Sequence, residues 1–219
     1  MLNWLRRKTP SGSTHPLRET LFGDVALTKW TGTSAAEPWR SFAQAAALAT
    51  QPDRASAVRC LEGILAQPVL ESRHYLQAWM GLTALGVRPP ESEAKHLYGV
   101  VLDMPVPGGV DTLAAYEDLS ARYLNFSGGA VIWEHPDESL DGEIQALLTA
   151  GRELLARIGP WEGPRPPLPP GQARISLLTP SGLHFGQAAP GLLSRDGMAA
   201  PVLQTATRLM QALIARSAA

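Results

Sequence analysis

Only one cysteine, Cys60, stands among the 219 residues. A disulfide within the chain is therefore excluded, and so is a zinc site built from thiolates. Cys60 lies in AVRCLEGIL, among apolar residues at helical spacing. That setting reads as a small packed hydrophobe, and as a reduced thiol of the cytoplasm. Long apolar runs are missing too. No stretch approaches the roughly 18 apolar residues of a membrane span. In MLNWLRRKTPSGSTHP the charges follow the apolar residues instead of preceding them, so no secretory leader is expected. Charge is scarce and balanced: 19 Lys and Arg against 20 Asp and Glu, a net charge of −1. Such a chain has no global field for nucleic acid and no acidic solvating tail. Neither G-x-x-x-x-G-K-[ST] nor G-x-G-x-x-G occurs, so no phosphate loop is expected. No two of His15, His74, His96, His135 and His184 have the spacing that sets two ligands on one helical face. The expectation is no metal and no cofactor.

What is present is apolar residue in periodic patterns. Hydrophobic residues make up 45% of the chain, which suits one large domain or two small, tightly packed ones. Residues 9 to 20 read as a linker, and LFGDVALTKW as a short extended segment. EPWRSFAQAAALA reads as a helix with Trp39, Phe42 and Ala46 on one face, and Pro38 suits its first turn. RASAVRCLEGILAQ is a second helix, with Val58, Leu61, Ile64 and Leu65 inward. ESRHYLQAWMGLTALG is a third, with Tyr75, Leu76, Trp79, Leu82 and Thr83 inward and Gly86 as its stop. PESEAKHLY reads as a short fourth helix.

After Tyr98 the period changes from helical to extended. GVVLDM reads as a strand and MPVPGGVD as a loop. TLAAYEDLSARYLNFSGGAVIWE holds two or three strands. Within it the continuous apolar run AVIWE suits a central strand. The cluster Asn125, Ser127, Gly128 and Gly129 reads as a hairpin turn. A nucleophile elbow needs a glycine two residues before its serine, and Asn125 stands there. LDGEIQALLTAGRELLARIG is a helix that Ser139 or Asp141 can cap. PWEGPRPPLPPG reads as a stiff polyproline connector pinned by Trp161, with P-x-x-P spacing behind Arg165. ARISLLTPSGLHFGQA reads as a hairpin, and APVLQTATRLMQALIARS as a closing amphipathic helix.

This order predicts an α+β protein. An N-terminal antiparallel helical array precedes an antiparallel β-meander with two packed helices. Residues 1–34 form a flexible or loosely docked segment, 35–97 the helical array, and 98–219 the sheet with helices at about 140–158 and 200–216, packed as one unit with the array. The meander–helix–hairpin–helix order is similar to that of profilin-like folds and, with a helix before it, of type III secretion chaperones. Element order alone implies nothing about activity. His135-Pro136-Asp137 shares its tripeptide with J-domain co-chaperones, where it lies between two antiparallel helices. Here a strand precedes it and an acidic helix start follows.

Two functional readings follow. The first is a non-enzymatic, cytoplasmic module that binds a protein partner, as an adaptor, chaperone or immunity-type factor. Its contacts would come from Trp4, Trp30 and Trp39 in the N-terminal region and from Trp161 and Arg165 on the connector, because Trp and Arg dominate interface energetics. The alternative is a hydrolase whose site gathers Asp103, Arg122, Glu134, His135 and His184 from strand ends. No nucleic-acid partner is expected. A weaker reading has residues 1–8 touch a membrane surface through Trp4, Leu5, Arg6, Arg7 and Lys8.

Overall fold

The computed structural model describes residues 16–30, 36–51 and 53–217. Among these residues there are seven α-helices and one six-stranded antiparallel sheet, an α+β architecture. The chain divides into two compact units. One holds Glu19–His96 and Thr179–Gly182. The other holds Arg18, Leu97–Leu178 and the described residues from Leu183 on.

The helical unit contains α1 (Trp39–Ala49), α2 (Arg54–Leu65), α3 (Ser72–Ala84) and α4 (Glu91–Ala94). Helix α1 packs on α2 and α2 on α3. Asp53 caps α2 by accepting the Ser56 N–H at 3.2 Å. The buried stripe of α2 is Ala57, Leu61 and Ile64, a 4–3 spacing that leaves Val58 turned aside and half-buried. On α3, Leu76, Trp79 and Leu82 are buried as expected, but Thr83 is exposed. The expected extended segment LFGDVALTKW holds instead a 3₁₀ turn at Leu27–Lys29, and another 3₁₀ turn, Pro16–Leu21, closes the expected linker.

The sheet unit runs β1 (Gly99–Val106), β2 (Gly109–Tyr116), β3 (Ala121–Leu124), β4 (Ala130–Trp133), α5 (Asp141–Leu155), β5 (Ala173–Thr179), β6 (Gly182–Ala188), α6 (Pro190–Leu193) and α7 (Ala199–Ser217). The strands lie in the order β4-β3-β2-β1-β5-β6. MPVPGGVD is therefore not a loop. Strand β1 runs through Pro105 to Val106, and a turn at Pro107-Gly108 leads directly into β2. Gly108 has φ +96°, a conformation that costs a residue without a Cβ nothing. The Asn125–Gly129 cluster is the hairpin turn its composition predicts. Asn125 N–H donates to Gly129 O at 2.9 Å, and the Asn125 side-chain oxygen accepts the Gly129 N–H at 2.7 Å. AVIW is an edge strand, not a central one. Its apolar run reflects Val131 and Trp133 packing under a helix, while Ile132 on the other face is 47% exposed.

Alternation sorts the strands into two faces. Val100, Leu102, Leu113, Ala115, Ala121, Tyr123, Trp133, Ile175 and Leu177 point to one side, under α5 and α7. Helix α5 lies over β1 and β2, and α7 lies beside α5 and over β4. Ile144, Leu147, Leu148, Leu154 and Leu155 of α5 and Val202, Leu203, Ala206, Leu209 and Leu213 of α7 complete this core.

Candidate functional site

Over the inner strands β1, β2, β3 and β5 the second face of the sheet is also buried, yet it carries a row of polar side chains. Asp103 on β1 lies opposite Thr112 on β2 and opposite Arg174 on β5. All three are about 1% exposed. Arg18 closes the row: its Nη2 donates to Asp103 Oδ1 at 2.7 Å, and its Nε donates to Thr112 Oγ1 at 3.3 Å. The Thr112 hydroxyl also donates to Asp103 Oδ1, at 2.8 Å. A buried carboxylate needs this kind of pairing, because the desolvation cost is otherwise unrecovered.

Arg174 holds the Pro-rich connector. Its Nη1 donates to Pro166 O at 2.7 Å and its Nη2 to Pro167 O at 3.0 Å. Its Nε and Nη2 both donate to Gln187 Oε1 of β6, at 2.9 and 2.6 Å. The guanidinium lies 4.8 Å from the Phe185 ring centroid. Burial lowers the Arg174 pKa from its ordinary value, and the Asp103 carboxylate opposes that shift. Prolines leave their carbonyls without ladder partners, and a five-donor fork collects two of them at once. The connector also rests on Trp161. Its backbone N–H donates to Leu183 O at 2.6 Å, its indole N–H donates to Pro164 O at 3.1 Å, and its ring sits 5.3 Å from Phe185.

The five residues of the hydrolase reading fall into separate places. Arg122 Nη2 donates to Glu134 Oε1 at 2.6 Å, so these two meet. His135 follows β4 with φ +51°, and its Nε2 lies 3.0 Å from Asp141 Oδ1. Asp141 thus engages His135 instead of capping α5, whose first turn has no side-chain cap. Asp103 belongs to the Arg18–Thr112 row. His184 is fully buried, and its position three residues from Gln187 turns it to the helix-covered face, away from Asp103 and Arg122. A groove of about 440 Å³ on α7, lined by Leu203, Gln204, Thr207 and Arg208, contains none of the five. No cluster of three or more His, Cys, Asp or Glu able to hold a metal occurs among the described residues.

Of the residues assigned to protein binding, Trp4 lies outside the described residues. Trp30 is 5% exposed. Its ring packs with Trp39 at 5.7 Å and Phe42 at 6.3 Å, and His74 joins the same aromatic group. Trp39 and Arg165 are half-buried, whereas Trp161 is 45% exposed. The membrane-surface residues 1–8 lie outside the described residues. No helix among the described residues is long and apolar enough to cross a membrane.

Arg18, Thr112, Arg174 and Gln187 escaped sequence reasoning. Their signal was a polar residue in mid-strand at constant parity: Asp103 in GVVLDM, Thr112 in DTLAAY, and Arg174 with Ser176 in ARISLLT. Strand pairing turns those separate positions into one row. No protein-family model, curated protein or solved structure matches the chain.

Proposed function

We propose that the chain is a non-enzymatic protein-binding module of the adaptor, chaperone or immunity-factor kind, which engages a protein partner in the cytoplasm. Trp161 carries this reading. It is a large aromatic left 45% exposed, yet its backbone, its indole N–H and one ring face are all engaged. A side chain held still before contact loses little entropy on docking, and tryptophan heads the residues that dominate interface energetics. The acids and bases that would compose a hydrolytic site support the same reading, because Asp103, Arg122, Glu134 and His135 are engaged in separate pairs. The single free thiol, Cys60, is the support for a reducing compartment.

The test is capture of a C-terminally tagged chain from its native cells, beside a Trp161→Ala chain. The expected result is a stoichiometric protein partner that the variant loses while it stays folded at the temperature of capture. Equal capture by both chains, or a solitary protein in both, overturns the proposal.

A further inference from the structure

The two edges of the sheet are unlike. Along β6 the connector lies close enough for Trp161 N–H to donate to Leu183 O at 2.6 Å. Among the described residues, no backbone group of Ala130–Trp133 along β4 bonds to anything but β3. The register shows which groups face outward. Asn125 N–H donates to Gly129 O, so these two form a hydrogen-bonded pair. Such pairs alternate with non-bonded ones along an antiparallel ladder. Tyr123/Val131 and Ala121/Trp133 are therefore bonded pairs, while Leu124/Ala130 and Arg122/Ile132 are not. The N–H and C=O of Ala130 and Ile132 point into the open edge, and Glu134 continues their phase.

Edges are protected by being very short, or by a charge, a proline, a bulge or a cover; of these Ala130–Trp133 have only their shortness. AVIW has no charge and no proline, and it pairs with β3 residue for residue. We propose that β4 is the seat of a second copy of this chain. The two β4 strands pair antiparallel across a two-fold axis and give one continuous sheet, six strands from each copy. Paired residues must share a face, and the residue on the axis must be one whose backbone points outward. Ile132 meets both conditions when it sits opposite Ile132 of the second copy. Ala130 then faces Glu134 of the second copy, and every outward N–H and C=O from residue 130 to 134 finds a partner. The two exposed isoleucine side chains cover each other.

Charge agrees with this register. The exposed acids Glu134, Asp137 and Glu138 lie at one end of β4, so antiparallel pairing sets the two acidic ends apart. Glu134 is already paired to Arg122. A four-residue strand buries far less than the roughly 1,200 Å² of a stable interface. The association is therefore reversible and concentration-dependent.

Sedimentation velocity over a concentration series tests it. The expected mass moves from 23.5 kDa toward twice that value. Ile132→Lys sets two ammonium groups face to face on the axis, and that variant stays at 23.5 kDa. Leu192→Lys, at a residue 62% exposed on α6, keeps the dimer. In a Cys60→Ser chain, Ile132→Cys links the dimer by a disulfide, since a bonded pair has Cα atoms about 5.5 Å apart. A monomer at every concentration overturns the proposal, as does a dimer indifferent to Ile132→Lys. A monomer that loses a captured foreign protein on Ile132→Lys assigns the edge to that protein's strand and likewise overturns it. None of these outcomes depends on Trp161, so the two proposals fail separately.

Discussion

A Cβ on Gly151 of α5 would meet Val100 Cγ2 at 2.7 Å and Leu97 Cδ2 at 3.1 Å. The missing atom is what lets α5 settle onto β1. Two effects oppose each other in Gly151→Ala. Helix propensity favours alanine by about 1 kcal/mol. Forcing a methyl into a filled core costs about 1–3 kcal/mol, and here Val100 is fully buried on the central part of the sheet. The clash outweighs the propensity gain, and urea titration should show a net loss of up to about 2 kcal/mol. Gly142, in the first turn of the same helix, meets nothing within 4 Å, so Gly142→Ala should hold or raise stability. Helices α5 and α7 were legible in the sequence because a 3.6 period is a local signal. The row of Arg18, Asp103, Thr112 and Arg174 was not, because no local signal links residue 18 to residue 103.

At the scale of elements, the start of α7 depends on one carboxylate. Asp196 Oδ1 accepts the Met198 N–H at 2.9 Å and the Ala199 N–H at 2.8 Å. The bond from Ala199, then that from Met198, holds the Asp196 pKa below the ordinary 3.8. A carboxyl depressed in the folded state stabilises fully above its unfolded pKa. That stabilisation is lost as pH falls through the folded value. Asp196→Asn should therefore melt below the parent at neutral pH, with the gap closing at pH values below 3.8 in thermal scans. Strand β4 shows where element-level reading from sequence failed. A continuous apolar run marks a strand buried on both faces. In AVIW the run arises because one face is roofed by α7 while the other keeps Ile132 at the surface. The β1–β2 hairpin misled in the opposite sense. Proline and glycine marked a turn correctly, but the turn is only Pro107-Gly108, and the flanking residues belong to strands.

On the scale of the whole molecule, Arg18 ties the start of the described chain to its sheet. It reaches Asp103 across 85 positions. Arg18→Ala strips a buried carboxylate of its direct ion-pair partner, a change that costs on the order of 3 kcal/mol. Arg174, opposite Asp103, remains to limit the loss. Chemical denaturation should place the effect there, and Arg18→Lys should recover part of it, since an ammonium restores the charge but not the second donor to Thr112. The α+β class was readable because the switch of period near residue 98 divides the helical stretch from the strands. The interleaving of the units was not readable: the sheet unit is gathered from both sides of the helical stretch, and periodicity says nothing about which distant segments meet.

That interleaving has a consequence for a ribosome-bound chain. Glu19–His96 is a nearly complete folding unit and leaves the ribosome before any strand of the sheet does. Arg18 is synthesised before that unit, but its guanidinium waits for β1 to emerge before it finds Asp103. If the helices form in that interval, the effective length of chain to be closed is much shorter than 85 flexible residues, and the entropy of closure falls with it. The order of synthesis then lowers the cost of this distant contact.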